Sequence, residues 1–141
     1  MTELGVFAPT VAQVNALVNA PGARPPALAC VPYLDATALL SEPRNLALAY
    51  QGGCAVFEHL GGGSYEGHMF AQPGHRGRQA LEFGRAALKW LFNEVFATRL
   101  IVMAPNALPQ VRVYCKRLGM ESLGKDLFLE HFQTEAVQWA A

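Results

Sequence analysis

The stretch QPGHRGRQALEFG, Gln72 to Gly84, decides how this chain folds. It opens with a proline, two glycines and two arginines close together. It then runs into ALEFGRAALKWLFNEVF, which has the pattern of a long helix. A helix start leaves N–H groups without intrahelical partners and carries partial positive charge. Flexible residues and two guanidinium groups at such a start point to an anion, and phosphate is the usual one.

The helix itself is the firmest element. Ala80, Gly84, Ala87, Leu88, Leu91 and Val95 fall on one stripe, and Leu81, Phe83, Trp90 and Phe92 widen it. So broad an apolar surface predicts a helix buried against a sheet. Upstream, NLALAY (Asn45–Tyr50), CAVFEHL (Cys54–Leu60) and SYEGHMFAQ (Ser64–Gln72) are short strand patterns divided by QGG and GGGS. Glycine turns between short runs predict an antiparallel meander; Gly61–Gly63 also fit a flexible loop. Downstream, RLIVMAP (Arg99–Pro105) reads as a buried strand that can pair in parallel with an earlier one. LPQVRVYCKRLG (Leu108–Gly119) reads as a short helix with Lys116 and Arg117 in its last turn and Gly119 just beyond. MESLG and DLFLEHF predict a closing strand pair. At the other end, GVFAP suggests a short strand, TVAQVNALVNA (Thr10–Ala20) a helix capped by Thr10, and DATALLSEP a short helix capped by Asp35. The ALACVPYL stretch is ambiguous, and the QTEAVQWAA tail reads as a frayed helix. The architecture expected is α+β: a mixed, mostly antiparallel sheet around one central helix, in a single domain spanning 1–141.

Composition narrows the functions. The chain has 141 residues, 52% of them hydrophobic, with 11 basic and 11 acidic side chains. Zero net charge argues against a nucleic-acid binder, so a positive site must be local. Cys30, Cys54 and Cys115 form no paired motif and no metal pattern with the four histidines. Neither a metal nor a disulfide is expected. The N-terminus lacks a secretory pattern, and no apolar run approaches the roughly 20 residues that span a bilayer. A cytoplasmic protein is expected, with no membrane partner.

The motifs, taken in order, resemble the GNAT superfamily of acyl-CoA N-acyltransferases over about residues 45–132. That family has a strand, a P-x-x-R-G-x-G-x-G/A turn, a helix, a buried strand with a following Asn, and a helix ending in a Y-x-x-x-G-F-like signature. Here the corresponding pieces are PGHRGRQAL, RLIVMAP followed by Asn106, and VYCKRLGM. Gln79 and Leu81 replace two of the family's small turn residues, and Met120 stands where Phe is usual. Pro109 stands where a small residue is typical, and the spacing from Asn106 to Tyr114 is one residue longer than the commonest.

The resemblance implies a GNAT-like fold with a splayed parallel strand pair, and acetyl-CoA as cosubstrate. Its pyrophosphate would meet the main chain of Arg76, Gly77, Arg78, Gln79, Ala80 and Leu81. Its pantetheine arm would lie along Met69, Phe70 and Ala71, with Asn106 bonded to that arm or to the strand edge. Tyr114 matches the tyrosine that serves as general acid. Glu66 and His68, two apart on a strand and so on one face, are candidates for the base, directly or through water. Phe70 shares that face. Glu58 and His59 point opposite ways, so at most one of them joins. His75 reads as a solvated residue beside phosphate. Trp90, Trp139 and the helix phenylalanines read as core, although Trp139 could also cover a dimer partner.

Two functions follow. One is an N-acetyltransferase acting on a primary amine by direct attack; Cys115 beside Tyr114 is weak support for a covalent route. The other is a GNAT-like binding or structural module without catalysis, akin to compact forms encoded by bacteriophages. The sequence carries no motif for the acceptor amine.

Overall fold

In a computed structural model, the structure describes residues 4–24 and 32–139. Cys30 and most of the ALACVPYL stretch lie outside the described residues. Among the described residues four helices and six strands follow as α1 (Val11–Val18), α2 (Thr37–Leu40), β1 (Leu46–Tyr50), β2 (Gly53–Gly61), β3 (Ser64–Ala71), α3 (Arg78–Asn93), β4 (Arg99–Pro105), α4 (Pro109–Arg117), β5 (Glu121–Lys125) and β6 (Leu129–Glu135). One-turn 3-10 segments occupy Pro73–His75 and Ala136–Trp139.

The strands form one six-stranded sheet in the order β1-β2-β3-β4-β6-β5. β1 pairs with β2, β4 with β6 and β5 with β6, all antiparallel. β3 and β4 run parallel, and their ladder covers only Ser64↔Arg99, Tyr65↔Leu100 and Glu66↔Ile101. This is the α+β, mostly antiparallel architecture that the strand and helix patterns predict. The β2–β3 connection is a tight turn, with Gly61, Gly62 and Gly63 all at positive φ.

The described residues fall into two compact units, one within 1–58 and 68–83 and the other within 59–67 and 84–141. The first unit closes around Val14, Val18, Ala49, Cys54, Val56 and Phe70, with Leu17, Leu39 and Leu40 packed against them. Thr10 caps α1 in a full capping box with Gln13. Two asparagines tie α1 to the chain before α2. Asn19 Nδ2 donates to the Leu34 carbonyl (2.7 Å), its Oδ1 accepts from Leu34 N–H (2.8 Å), and Asn15 Oδ1 accepts from Ala36 N–H (2.8 Å).

In the second unit Leu100, Ala104, Phe132 and Thr134 are buried, as are Leu88 and Leu91 of α3. Glu130 is buried too, and its carboxylate accepts from Arg112 Nε (2.8 Å) and Ser122 Oγ (2.7 Å). The Ser122 bond, then the Arg112 bond and charge, hold the Glu130 carboxyl below the usual carboxylate range against the opposing effect of desolvation. Because the folded carboxyl titrates lower than the unfolded one, the unfolded chain takes up its proton first as pH falls. The stability from this group is therefore present above the ordinary carboxylate range and is lost as pH drops through the folded value. Melting temperatures of the wild type and of Glu130→Gln between pH 7 and 3 should converge as pH falls; parallel curves would contradict this.

Several boundaries differ from the sequence patterns. GVFAP contributes a single bridge, Phe7 with Ala49, its two hydrogen bonds each 2.9 Å. Pro9 has no N–H with which to extend it. The second helix is one turn, and Ala36 rather than Asp35 takes its cap position; Asp35 stands two residues before Thr37, accepting from Thr37 N–H (2.9 Å) and from Thr37 Oγ1. α3 stops at Asn93, and Phe96 then takes a left-handed φ of 63°. β4 is buried only at Leu100 and Ala104, whereas Met103 is exposed, because alternate residues of a strand face opposite ways. The tail forms a 3-10 turn whose Trp139 Nε1 donates to Thr134 Oγ1 (2.8 Å).

Candidate functional site

The turn after β3 is built from below. Tyr50, the last residue of β1, is completely buried. Its hydroxyl donates to the His75 carbonyl at 2.6 Å, and its ring lies 4.6 Å from that of Phe83 on α3. Burial pushes the Tyr50 phenol up to about 12, so it stays a donor. Gly52 lies directly beneath His75, so close that a Cβ there would overlap the His75 side chain. His75 Nδ1 and Gln79 Oε1 are 2.9 Å apart.

Arg76 turns back rather than outward. Its Nε donates to the Ala71 carbonyl (3.2 Å) and its terminal nitrogen to the Gly22 carbonyl (2.6 Å). The guanidinium thus braces the turn against the end of β3 and the loop after α1, while its charge stays beside the helix start. Arg78 is different: its side chain is 88% exposed and sits 3.4 Å from Glu82 one turn on. Between them Gly77 takes φ +70°, a left-handed conformation that favours glycine, and a Cβ there would meet open space. The α3 ladder begins with Leu81 N–H to the Gly77 carbonyl at 3.0 Å. Arg78 and Gln79 therefore stand ahead of the ladder, where helix N–H groups face an anion. Ala80 is buried and Leu81 half-buried, so their contribution to an anion site is main-chain.

On β3, Phe70 packs its ring into the core with Val14 and Val56. Met69 is half-buried, and the Ala71 carbonyl accepts from Arg76. His68 Nε2 lies 3.9 Å from Glu58 Oε1, both side chains partly exposed. Glu58 is a partner that strand spacing alone does not single out. His59 stacks edge-on to Tyr65, with ring centroids 5.2 Å apart. Glu66 is half-buried and stands opposite Ile101.

In the second unit Tyr114 sits on α4, half-buried, with its hydroxyl over Gly84 of α3. A Cβ at Gly84 would overlap that hydroxyl and crowd both Leu118 methyl groups at 3.0 Å. Gly84→Ala is expected to destabilise the fold by about 1–3 kcal/mol, as overpacking does. In a Tyr114→Phe background the loss should shrink, because the oxygen it strikes is gone. Urea unfolding of the single and double variants measures this; full additivity would show that the hydroxyl is not held there.

Asn106 is exposed and closes the end of β4 onto the β5–β6 hairpin. Its main-chain N–H donates to the Phe128 carbonyl (2.8 Å) and its Nδ2 to the Asp126 carbonyl (3.1 Å). Asn106→Ala should lower stability by about 1 kcal/mol, the scale of one hydrogen bond, measured by urea unfolding.

Cys54 and Cys115 are both buried, and burial pushes each thiol up to about 12. Neither supplies a thiolate near neutral pH, and neither should react with Ellman's reagent in the folded protein. Among the described residues no group of three or more His, Cys, Asp or Glu side chains could hold a metal ion. None of their helices is long and apolar enough to cross a membrane.

No curated protein matches this chain in sequence. Among solved structures, a chimera of spermidine N-acetyltransferase SpeG from Vibrio cholerae and hSSAT has a TM-score of 0.77 at 11% identity, over 98% of this chain and 98% of that chain. A GNAT-family acetyltransferase from Bacillus anthracis has a TM-score of 0.56 at 19% identity, over 66% of each chain. The dodecameric spermidine N-acetyltransferase of Vibrio cholerae in its intermediate state has a TM-score of 0.63 at 10% identity, over 74% of this chain and 72% of that one. At such identities the likeness establishes the fold, which is that of the GNAT acetyltransferases. The family model described as Protein of unknown function (DUF2824) matches residues 48–135, more than half of the chain, and the protein belongs to that family.

Proposed function

We propose that the protein is an N-acetyltransferase that moves an acetyl group from acetyl-CoA to a primary amine by direct attack. The observation that carries this reading is the start of α3, with Gly77 at φ +70° between two arginines and open space above it. A pyrophosphate fits there. The glycine backbone allows close approach, the N–H groups of Arg78 and Gln79 precede the helix ladder, and the Arg78 guanidinium is free to swing from Glu82. Arg76 supplies field and rigidity, and the main chain of Ala80 and Leu81 completes the helix start. The main chain of Met69, Phe70 and Ala71 would take the pantetheine arm. With its Nδ2 held by Asp126, Asn106 offers Oδ1 to an amide of that arm.

The cosubstrate supplies a thioester activated for attack by an amine. The chain's own residues hold the two reactants and move protons. Tyr114 donates to the sulfur as the thiolate leaves. Glu66 or His68 removes the amine proton through water, with Glu58 beside His68. The buried cysteines support direct attack over an acetyl-cysteine route. The reading takes the chain as one catalytic domain of the cytoplasm, working without a metal; β5 is exposed along its whole length, and sedimentation tests for a homodimer. Incubation with acetyl-CoA and a panel of amines tests it: free thiol should appear only with an amine present. Thiol release with no amine dependence would contradict direct transfer.

A second reading is a GNAT-like binding module without turnover, of the kind known in compact phage-encoded forms. Two observations favour it: the Arg76 guanidinium is bonded to main-chain carbonyls, and the Asn106 amide to the hairpin. CoA binding with no thiol release for any amine would select it.

A further inference from the structure

Tyr50 and Gly52 belong to β1 and the turn into β2, and neither carries a group that reaches outward. Both meet His75 instead. The Tyr50 hydroxyl holds the His75 carbonyl at 2.6 Å, and Gly52 leaves room beneath the His75 side chain that any Cβ would fill. Nothing in the backbone of Gly52 demands glycine, since it is not among the residues at positive φ. Its lack of a side chain is therefore a matter of space. The His75 N–H is fixed on the Gln72 carbonyl at 2.9 Å, and His75 Nδ1 reaches Gln79 in the first turn of α3. The same Tyr50 ring packs against Phe83 further along α3. One buried side chain thus fixes the residue just before the Arg76–Gly77 turn and the helix just after it.

We propose that Tyr50 and Gly52 are positioning residues for the phosphate site: they form a seat under His75 that sets the direction of the N–H groups of Gly77, Arg78 and Gln79. This rests on the reading of that turn as the site for the CoA pyrophosphate. A helix start binds an anion well only when its N–H groups converge. Arg76 ties the turn to the Ala71 and Gly22 carbonyls, and His75 just before it needs a restraint of its own. The restraint comes from a phenol that is wholly buried and so has no water to exchange with. Loss of the hydroxyl removes the restraint and leaves the ring packing as it was.

The test compares Tyr50→Phe and Gly52→Ala with the wild type. Two ligands are titrated by calorimetry: CoA, and pantetheine, which has the arm but no pyrophosphate. Tyr50→Phe should weaken CoA about tenfold, the scale of one hydrogen bond to a group that cannot be resolvated, and leave pantetheine unchanged. Amide exchange at His75 should quicken while the β1–β2 amides keep their protection. Gly52→Ala should give the same selective loss, larger because His75 must move. A residue that merely stabilised the fold would weaken both ligands together or neither. Unchanged CoA affinity and unchanged His75 exchange in Tyr50→Phe, with wild-type binding intact, would overturn the seat and leave the phosphate site standing. Failure of the wild type itself to bind CoA would overturn both. Should Gly52→Ala not fold, Tyr50→Phe decides alone.

Discussion

Gly77→Glu is expected to abolish CoA binding. Two effects act at the same point. The residue sits at φ +70°, where a side chain strains the backbone by about 1–3 kcal/mol. The new carboxylate also enters the space that the pyrophosphate would fill, beside the first N–H groups of α3, and repels it. A micromolar ligand driven past the millimolar range loses about 4 kcal/mol or more. Gly77→Ala separates the two effects: it keeps the strain and adds no charge, so it should weaken CoA partially. Thermal denaturation should show both variants folded, because a Cβ at Gly77 meets nothing. Calorimetric titration measures the loss. Tight CoA binding by Gly77→Glu would place the phosphates elsewhere.

Tyr114→Phe should lower turnover by roughly 10²–10⁴-fold, the usual range for loss of a general acid. Fold and CoA affinity should be nearly unchanged, because the ring keeps its packing. The structure adds a reason to expect a well-placed oxygen. The hydroxyl rests over the bare Cα of Gly84, and a glycine in mid-helix costs about 1 kcal/mol relative to alanine. Gly84→Ala should therefore also slow turnover, with Tyr114 chemically intact but displaced. Free-thiol release with an amine used by the wild type measures both. Equal rates in Tyr114→Phe and wild type would remove the phenol from the mechanism.

Most of the fold can be read from the chain because its punctuation is local. Glycines end β1 and β2, a proline and two glycines separate β3 from α3, and Lys116, Arg117 and Gly119 close α4. The apolar stripe from Ala80 to Leu91 is buried as its 3.6 period requires, with Ala80, Ala87, Leu88 and Leu91 all inside. The site is harder to read because its restraints are long-range. Tyr50 and His75 are 25 residues apart, Arg76 and Gly22 are 54 apart, and no spacing rule links either pair. An arginine in a glycine turn is expected to face an anion, and the spacing does not show that the Arg76 guanidinium also bonds the Ala71 and Gly22 carbonyls. Asn106 is expected at the cofactor arm or the strand edge, and no spacing rule shows that its Nδ2 also holds the Asp126 carbonyl of the β5–β6 hairpin. Gly84 falls on a helix stripe and so passes for a small packing residue; its neighbours across the helices, the Tyr114 hydroxyl and the Leu118 methyl groups, explain it. The ambiguous signal that could have found Tyr50 is its chemistry, a phenol ending an otherwise aliphatic strand, which needs a partner once buried.

The central claim is that the start of α3 binds the pyrophosphate of a CoA thioester. Calorimetric titration of the wild-type protein with CoA tests it most directly. The expected result is a single site in the micromolar range, roughly −8 kcal/mol, with a rise in melting temperature at saturating ligand. No heat of binding and no thermal shift at millimolar CoA would contradict it.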